Sequence, residues 1–180
     1  MKSVFVVSFM SILLSACNSA DKKTEPIITS HAPEADAIKK AVDDAYRAIC
    51  FKQGEHPDLD GIKKCFTPDA TLLNFRNDSL EYMTIAQFAS VYKAFIDSNK
   101  ISLFYEEEMN GTTEQFGRIA HRISSYKTYL NTMDSAAERG VNSFQLVKTA
   151  QGWKVSSIIW DVESPKQKIP AYYLKPEISQ

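Results

Sequence analysis

Glu106 and His121 are the two side chains whose types best fit proton chemistry in this chain. A carboxylic acid in apolar surroundings keeps its proton to higher pH, and an imidazole beside it can share that proton, which suits enolisation, isomerisation or dehydration. Opposite residues on a hairpin have nearly constant summed numbers, so a turn near Thr112 to Gln115 brings Glu106 close to Ile119 to His121. The structural alternative stands beside this reading: Glu106, Glu107 and Glu108 alternate faces, so at least one is solvated, and a lone strand histidine also serves as a structural hydrogen-bonder. Asp69 is the rival acid, although it follows Pro68 in a turn, where aspartate commonly closes the backbone.

Polar residues of a second group point to recognition. Arg139, Asn142, Ser143 and Gln145 punctuate a strand that should have one core side; alternation assigns Ser143 and Gln145 to one face and Asn142 to the other. Arg139 is expected to pair with Glu163 across strands, and Asn142 to lie near Trp160. Tyr46, Tyr105, Tyr126 and Trp160 supply aromatic area for a pocket wall. Trp153 and Trp160 fall on opposite faces of an ideal strand, one filling the interior and the other covering the sheet's outside.

Other chemistries find no support. The three histidines, His31, His56 and His121, are widely spaced and no paired-cysteine motif occurs, so no metal is expected. There is no nucleophile elbow, phosphate-cradling glycine loop or dinucleotide fingerprint, so no cofactor is expected either. Lys and Arg total 21 against 22 Asp and Glu without a basic block, which argues against a nucleic-acid partner.

The elements that must position these residues follow from periodicity. After Pro33, Ala35, Ile38, Ala41, Val42, Ala45, Tyr46 and Ile49 recur on one helical face. Leu59, Ile62, Cys65 and Phe66 predict a shorter second helix, ended by the turn Thr67-Pro68-Asp69. Two brief strands, Thr71 to Phe75 and Leu80 to Met83, precede a third helix that opens at a Thr84/Gln87 capping box. Four strands then alternate with turn signals at Asn110-Gly111, Asn131 to Ala137 and Gln151-Gly152. The expected class is α+β: three helices packed on a curved, mainly antiparallel sheet of about six strands.

The first residues resemble a bacterial lipoprotein precursor: Met1-Lys2, an apolar run from Val4 to Leu14, and Leu14-Ser15-Ala16-Cys17. That resemblance implies lipidation of Cys17, removal of residues 1–16 and attachment in the cell envelope, with the outer membrane expected because Asn18 rather than aspartate follows the cysteine. Residues 17–33 are then a polar lipidated tether, 34–163 the domain and 164–180 a C-terminal tail, for which a loose course is the ordinary expectation and docking of Tyr172, Tyr173 and Leu174 on the domain or a partner the alternative. An oxidising envelope also permits a disulfide between Cys50 and Cys65, worth about 3 kcal/mol for a loop of roughly fifteen residues; two buried free thiols are the alternative.

The element order, with Phe66-Thr67-Pro68-Asp69-Ala70, Phe116-Gly117-Arg118-Ile119-Ala120-His121, Ser124-Ser125-Tyr126, Arg139 to Leu146 and Trp153 to Glu163, resembles the nuclear-transport-factor-2-like superfamily and its SnoaL-like branch. The resemblance implies a cone-shaped domain whose curved sheet and helices enclose a mostly apolar pocket, and a homodimer built on the outer sheet face. It covers isomerases, cyclases, dehydratases and proteins of no known activity, so the expected role is binding of a small apolar or amphipathic molecule. An acid-base enzyme using Glu106, His121 or Asp69 and an envelope interaction module are the alternatives.

Overall fold

The computed structural model describes residues 32–75 and 79–174, which leaves Cys17, the leader and most of the tether outside the described residues. Helix α1 (Ala35–Ile49) buries Ile38, Val42, Ala45 and Tyr46, the stripe that its spacing predicts, and keeps Lys39–Asp43 and Lys40–Asp44 ion pairs on its solvent side. Helix α2 (Leu59–Lys64) is capped by Asp58, whose Oδ1 accepts a hydrogen bond from Gly61 N at 2.8 Å. Helix α3 (Ile85–Ser98) begins at the expected capping box: Gln87 N donates to Thr84 Oγ1 and Thr84 N donates to Gln87 Oε1.

Strands β1 (Phe66–Asn74), β2 (Glu81–Thr84), β3 (Phe104–Phe116), β4 (Ile119–Leu130), β5 (Glu138–Thr149) and β6 (Gly152–Val162) form one sheet in the order β2-β1-β6-β5-β4-β3. Every neighbouring pair is antiparallel except β1 with β6, which is parallel. The helices cover one face of this sheet, with α1 against β3 and β6 and α3 against β1. The core between them holds Ile38, Val42, Tyr46, Leu72, Tyr126, Phe144, Leu146 and Val155. This is the α+β, cone-shaped arrangement expected from the element order.

Several local expectations fail, each for a physical reason. Asn110-Gly111 does not turn the chain: both lie within β3, and the hairpin closes at Gly117-Arg118, where Gly117 takes φ +55°. Glu106 therefore pairs with Thr128, while His121 pairs with Glu114. The predicted turn Thr67-Pro68-Asp69 is a bulge inside β1, where register with β6 breaks between Phe66 and Thr71; Pro68 has no N–H to give a ladder. Phe66 accordingly leaves the second helix and opens the strand.

Trp153 and Trp160 share a face. A second bulge, at Ser156 between the pairs Leu146–Val155 and Gln145–Ser157, reverses the alternation of β6, so both indoles turn toward the helices. The end of the chain is also less free than expected. Ile169 is buried, and Ser125 Oγ donates to the Tyr173 carbonyl at 2.6 Å, which docks residues 164–174 on the sheet.

Candidate functional site

The inward side of β4 carries Ala120, Arg122, Ser124, Tyr126 and Thr128 in strict alternation, and all five are buried. Such a strand brings polar groups into the core, where each must find a partner. Arg122 donates through Nε to Glu108 Oε2 at 2.8 Å, through Nη2 to Glu108 Oε1 and through Nη1 to Thr113 Oγ1. Ser124 Oγ donates to Glu108 Oε2 at 2.8 Å and also meets Tyr46 Oη at 2.8 Å, while Asn142 Nδ2 donates to Tyr46 Oη at 2.9 Å.

Proton inventory fixes the direction of this chain. A carboxylate only accepts and a serine has one hydroxyl proton, so with Ser124 donating to Glu108 the Tyr46 phenol must donate to Ser124. Hydrogen bonds therefore run Asn142 to Tyr46 to Ser124 to Glu108, toward a carboxylate that Arg122 neutralises from the other side. Burial, followed by the Glu106 charge, pushes the Tyr46 phenol far above the ordinary range, so it stays a donor. Glycine at position 111 makes room for the pair, since a Cβ there would lie 2.6 Å from both Arg122 Nη2 and Glu108 Oε2.

Above this pair lies an open groove of about 450 Å³, bordered by Ala35, Asp36 and Lys39 of α1 and by Met109, Asn110 and Gly111 of β3. Met109 is the extra residue of a bulge between the pairs Glu108–Tyr126 and Asn110–Ser125, which brings Gly111 and Thr113 onto the same inner face as Glu108. Arg122 is 6% exposed and contributes to the lining. Its three bonds use three of a guanidinium's five N–H groups, so Nη1 and Nη2 each keep one donor. The lining offers opposed charges in pairs, with no thiolate or imidazole to hold a metal; among the described residues no His, Cys, Asp and Glu cluster forms such a centre.

The remaining predicted residues scatter. Glu106 faces inward and accepts from Thr128 Oγ1 at 2.6 Å, whereas His121 lies on the opposite, outer face with Nε2 3.0 Å from Ser143 Oγ. The two cannot share a proton. Asp69 is exposed in the β1 bulge, outside any pocket. Ser143 and Gln145 point outward with His121, and Tyr105 also lies outside, its hydroxyl donating to Glu107. Tyr126 is inside and donates to Glu138 Oε1 at 3.0 Å; Trp160 is inside with its ring edge-on to Phe88. Asn142 does pair with Trp160, and Arg139 Nε lies 3.4 Å from Glu163 Oε2.

Cys50 and Cys65 are free thiols held in different places. Cys50 Sγ donates to the Tyr46 carbonyl and accepts from Glu106 N, while Cys65 Sγ bonds the Gly61 carbonyl in its own helix. Phe51, which forms a bridge with Phe104 immediately after Cys50, commits that segment to β3 rather than to α2. Burial pushes the Cys50 thiol up to about 11, so it is not a nucleophile at neutral pH.

No protein-family model matches the chain, and no curated protein matches it. Solved structures do. A protein of unknown function with a cystatin-like fold from Nostoc punctiforme superposes with a TM-score of 0.59 at 13% identity, over 75% of this chain and 95% of that one. An NTF2-like protein of unknown function from Shewanella baltica gives 0.52 at 18% identity, over 76% and 98%. The fold is nuclear-transport-factor-2-like. A further NTF2-like protein of unknown function, from Silicibacter pomeroyi, gives 0.53 at 14% identity, over 73% and 97%. At these identities the likeness is one of fold alone, and the fold names no reaction.

Within this nuclear-transport-factor-2-like cone, sequence reasoning missed Glu108, Arg122, Gly111 and Thr113. The signal was present in β4, where Arg122, Ser124 and Thr128 recur at period two. It was hidden because the intervening His121, Ser125 and Lys127 are polar as well, so hydropathy does not tell the two faces apart.

Proposed function

We propose that this protein is a lipid-anchored binding domain of the cell envelope, which takes a small amphipathic molecule into the groove above Glu108 and Arg122. The observation that carries this is Arg122: a guanidinium buried to nine-tenths and held by Glu108 and Thr113 contributes to the lining of an open groove of about 450 Å³, a fixed positive group beside which an acceptor-bearing ligand end can sit. Met109 and Ala35 add an apolar wall, so the ligand class has one acceptor-bearing end and one apolar end. Acid-base catalysis is less well supported, because Glu108 is neutralised by Arg122 and Glu106 is separated from His121 by the sheet itself.

Native mass spectrometry of protein from its own host should show a retained small molecule. A Met109→Trp substitution, which fills the groove without touching Arg122, should release it. Wild-type protein that arrives empty, or a ligand that persists in Met109→Trp, refutes the site. The anchor is tested separately with globomycin, which blocks the lipoprotein peptidase; unchanged processing would refute lipidation at Cys17.

A further inference from the structure

We propose that the groove above Glu108 and Arg122 selects a ligand whose polar end carries a protonated amine beside a neutral acceptor oxygen, as an amino alcohol does, an assignment that rests on the binding role proposed for the same groove. Four charged side chains border it: Asp36 and Lys39 from α1, Glu108 from β3 and Arg122 from β4. Three of them are already committed. Lys39 Nζ donates to both carboxylate oxygens of Asp43, at 2.8 and 2.7 Å, and Arg122 and Glu108 neutralise each other. The Asp36 side chain has neither an ion pair nor a hydrogen bond among the described residues.

The groove thus presents one uncompensated charge, and it is negative. A carboxylate or phosphate would meet no cation that is not already bound to an acid. To gain one it must open the Lys39–Asp43 pair or part Arg122 from Glu108, and the second choice leaves a buried charge alone. A protonated amine disturbs neither pair and gains Asp36 as its partner. An acid in the first turn of α1 also complements the helix N-terminus, but that effect needs no groove beside it.

The acceptor oxygen belongs beside Arg122, whose guanidinium is fixed by Glu108 and Thr113 and borders the same space. Ala35 and Met109 supply the apolar wall for a short hydrocarbon chain. A space of about 450 Å³ holds about fifteen groups the size of a water molecule, so an amino-alcohol head and a chain of about six carbons fit together.

The test titrates the detergent-solubilised full chain by ligand-observed NMR with 2-amino-1-hexanol, 1,2-hexanediol and hexanoate, and the Met109→Trp chain is the blank for partition into micelles. Wild type should hold the amino alcohol about fivefold tighter than the diol, the upper end for one exposed ion pair, and hexanoate more weakly than either. Asp36→Asn, at an exposed position with no side-chain bond to lose, should bring the amino alcohol and the diol within about twofold of each other. 2-Aminoethanol, the head without its chain, should bind at least about tenfold more weakly than 2-amino-1-hexanol; equal binding keeps the amine and overturns the apolar end of the ligand. Equal affinity of wild type for amino alcohol and diol, or tightest binding of hexanoate, overturns the proposal. So does an amine preference that survives Asp36→Asn while the thermal midpoint falls, which assigns Asp36 to the helix alone. Those three results leave the groove standing as a binding site when Met109→Trp abolishes binding. A Met109→Trp chain that binds the probes as wild type does overturns the site itself, and the amine assignment with it.

Discussion

Replacing Gly111 by alanine should damage the Glu108–Arg122 pair and little else. The new Cβ would stand 2.6 Å from Arg122 Nη2, 2.6 Å from Glu108 Oε2 and 2.8 Å from Arg122 Cζ, so these atoms must move. Neither partner is at liberty: Arg122 is also bound to Thr113, and Glu108 also accepts from Ser124. Removing one member of a buried ion pair costs about 3–5 kcal/mol, and a pair pushed apart keeps part of its attraction, so a loss of about 2 kcal/mol is expected. Alanine restricts the unfolded chain and returns about 0.5–1 kcal/mol, which leaves a net destabilisation of about 1–1.5 kcal/mol. With a urea slope of about 2 kcal/mol/M, the denaturation midpoint should fall by about 0.5–0.75 M. The same substitution in an Arg122→Met background, where no ion pair remains to be separated, should cost less than about 0.5 kcal/mol. Equal costs in the two backgrounds would refute the argument that Gly111 exists to seat this pair.

Gly140→Ala should be harsher, because its Cβ would meet the Asp161 backbone carbonyl at 2.4 Å as well as the Tyr126 ring; a loss of about 3 kcal/mol or more should appear as a lower thermal midpoint than Gly111→Ala shows. Tyr46→Phe strands the Asn142 amide and frees Ser124, at about 1–3 kcal/mol by urea titration. Burial first of all raises the pKa values of Tyr46, Tyr92 and Cys50, so the stability they contribute is fully present below their unfolded values and is lost as pH rises toward the folded ones. Denaturation midpoints between about pH 8 and 11 should therefore decline, less steeply in Tyr46→Phe. Glu34 behaves oppositely: hydrogen bonds from Lys148 first and then Trp153 hold its pKa low, so its contribution is present above the ordinary carboxylate range and lost as pH falls. Glu34→Gln should flatten the acid decline below about pH 4.5, measured the same way.

Helical periods were the most legible part of the chain, because one helix face in contact with a core is a long-range average over many residues. Ala35 to Ile49 and the Thr84/Gln87 box illustrate this, and each forms as its spacing predicts. Strand register was less legible. It depends on single residues: an Asn-Gly pair that serves close approach rather than a turn, and extra residues at Met109 and Ser156 that reverse which face follows. A turn placed near Thr112 to Gln115 instead of at Gly117-Arg118 aligns Glu106 with His121, and the Ser156 bulge is what brings Trp153 and Trp160 to one face. The buried Glu108–Arg122 pair was not visible because charged residues in strands are ordinarily outside, and Gly111, Thr113 and Ser124 together make its burial tolerable.

The parallel pairing of β1 with β6 sets a timetable for folding. Leu72 lies beside Ile158 and Asn74 beside Trp160, so the first strand waits for the last one to be synthesised before its inner edge is satisfied. Helix α3 and β2, which dock on β1, wait with it. Contacts between such distant parts of a chain form slowly, after much of the loop-closure entropy has been lost. A chain built this way stays open for most of its synthesis, and its sheet closes only once the last strand has emerged.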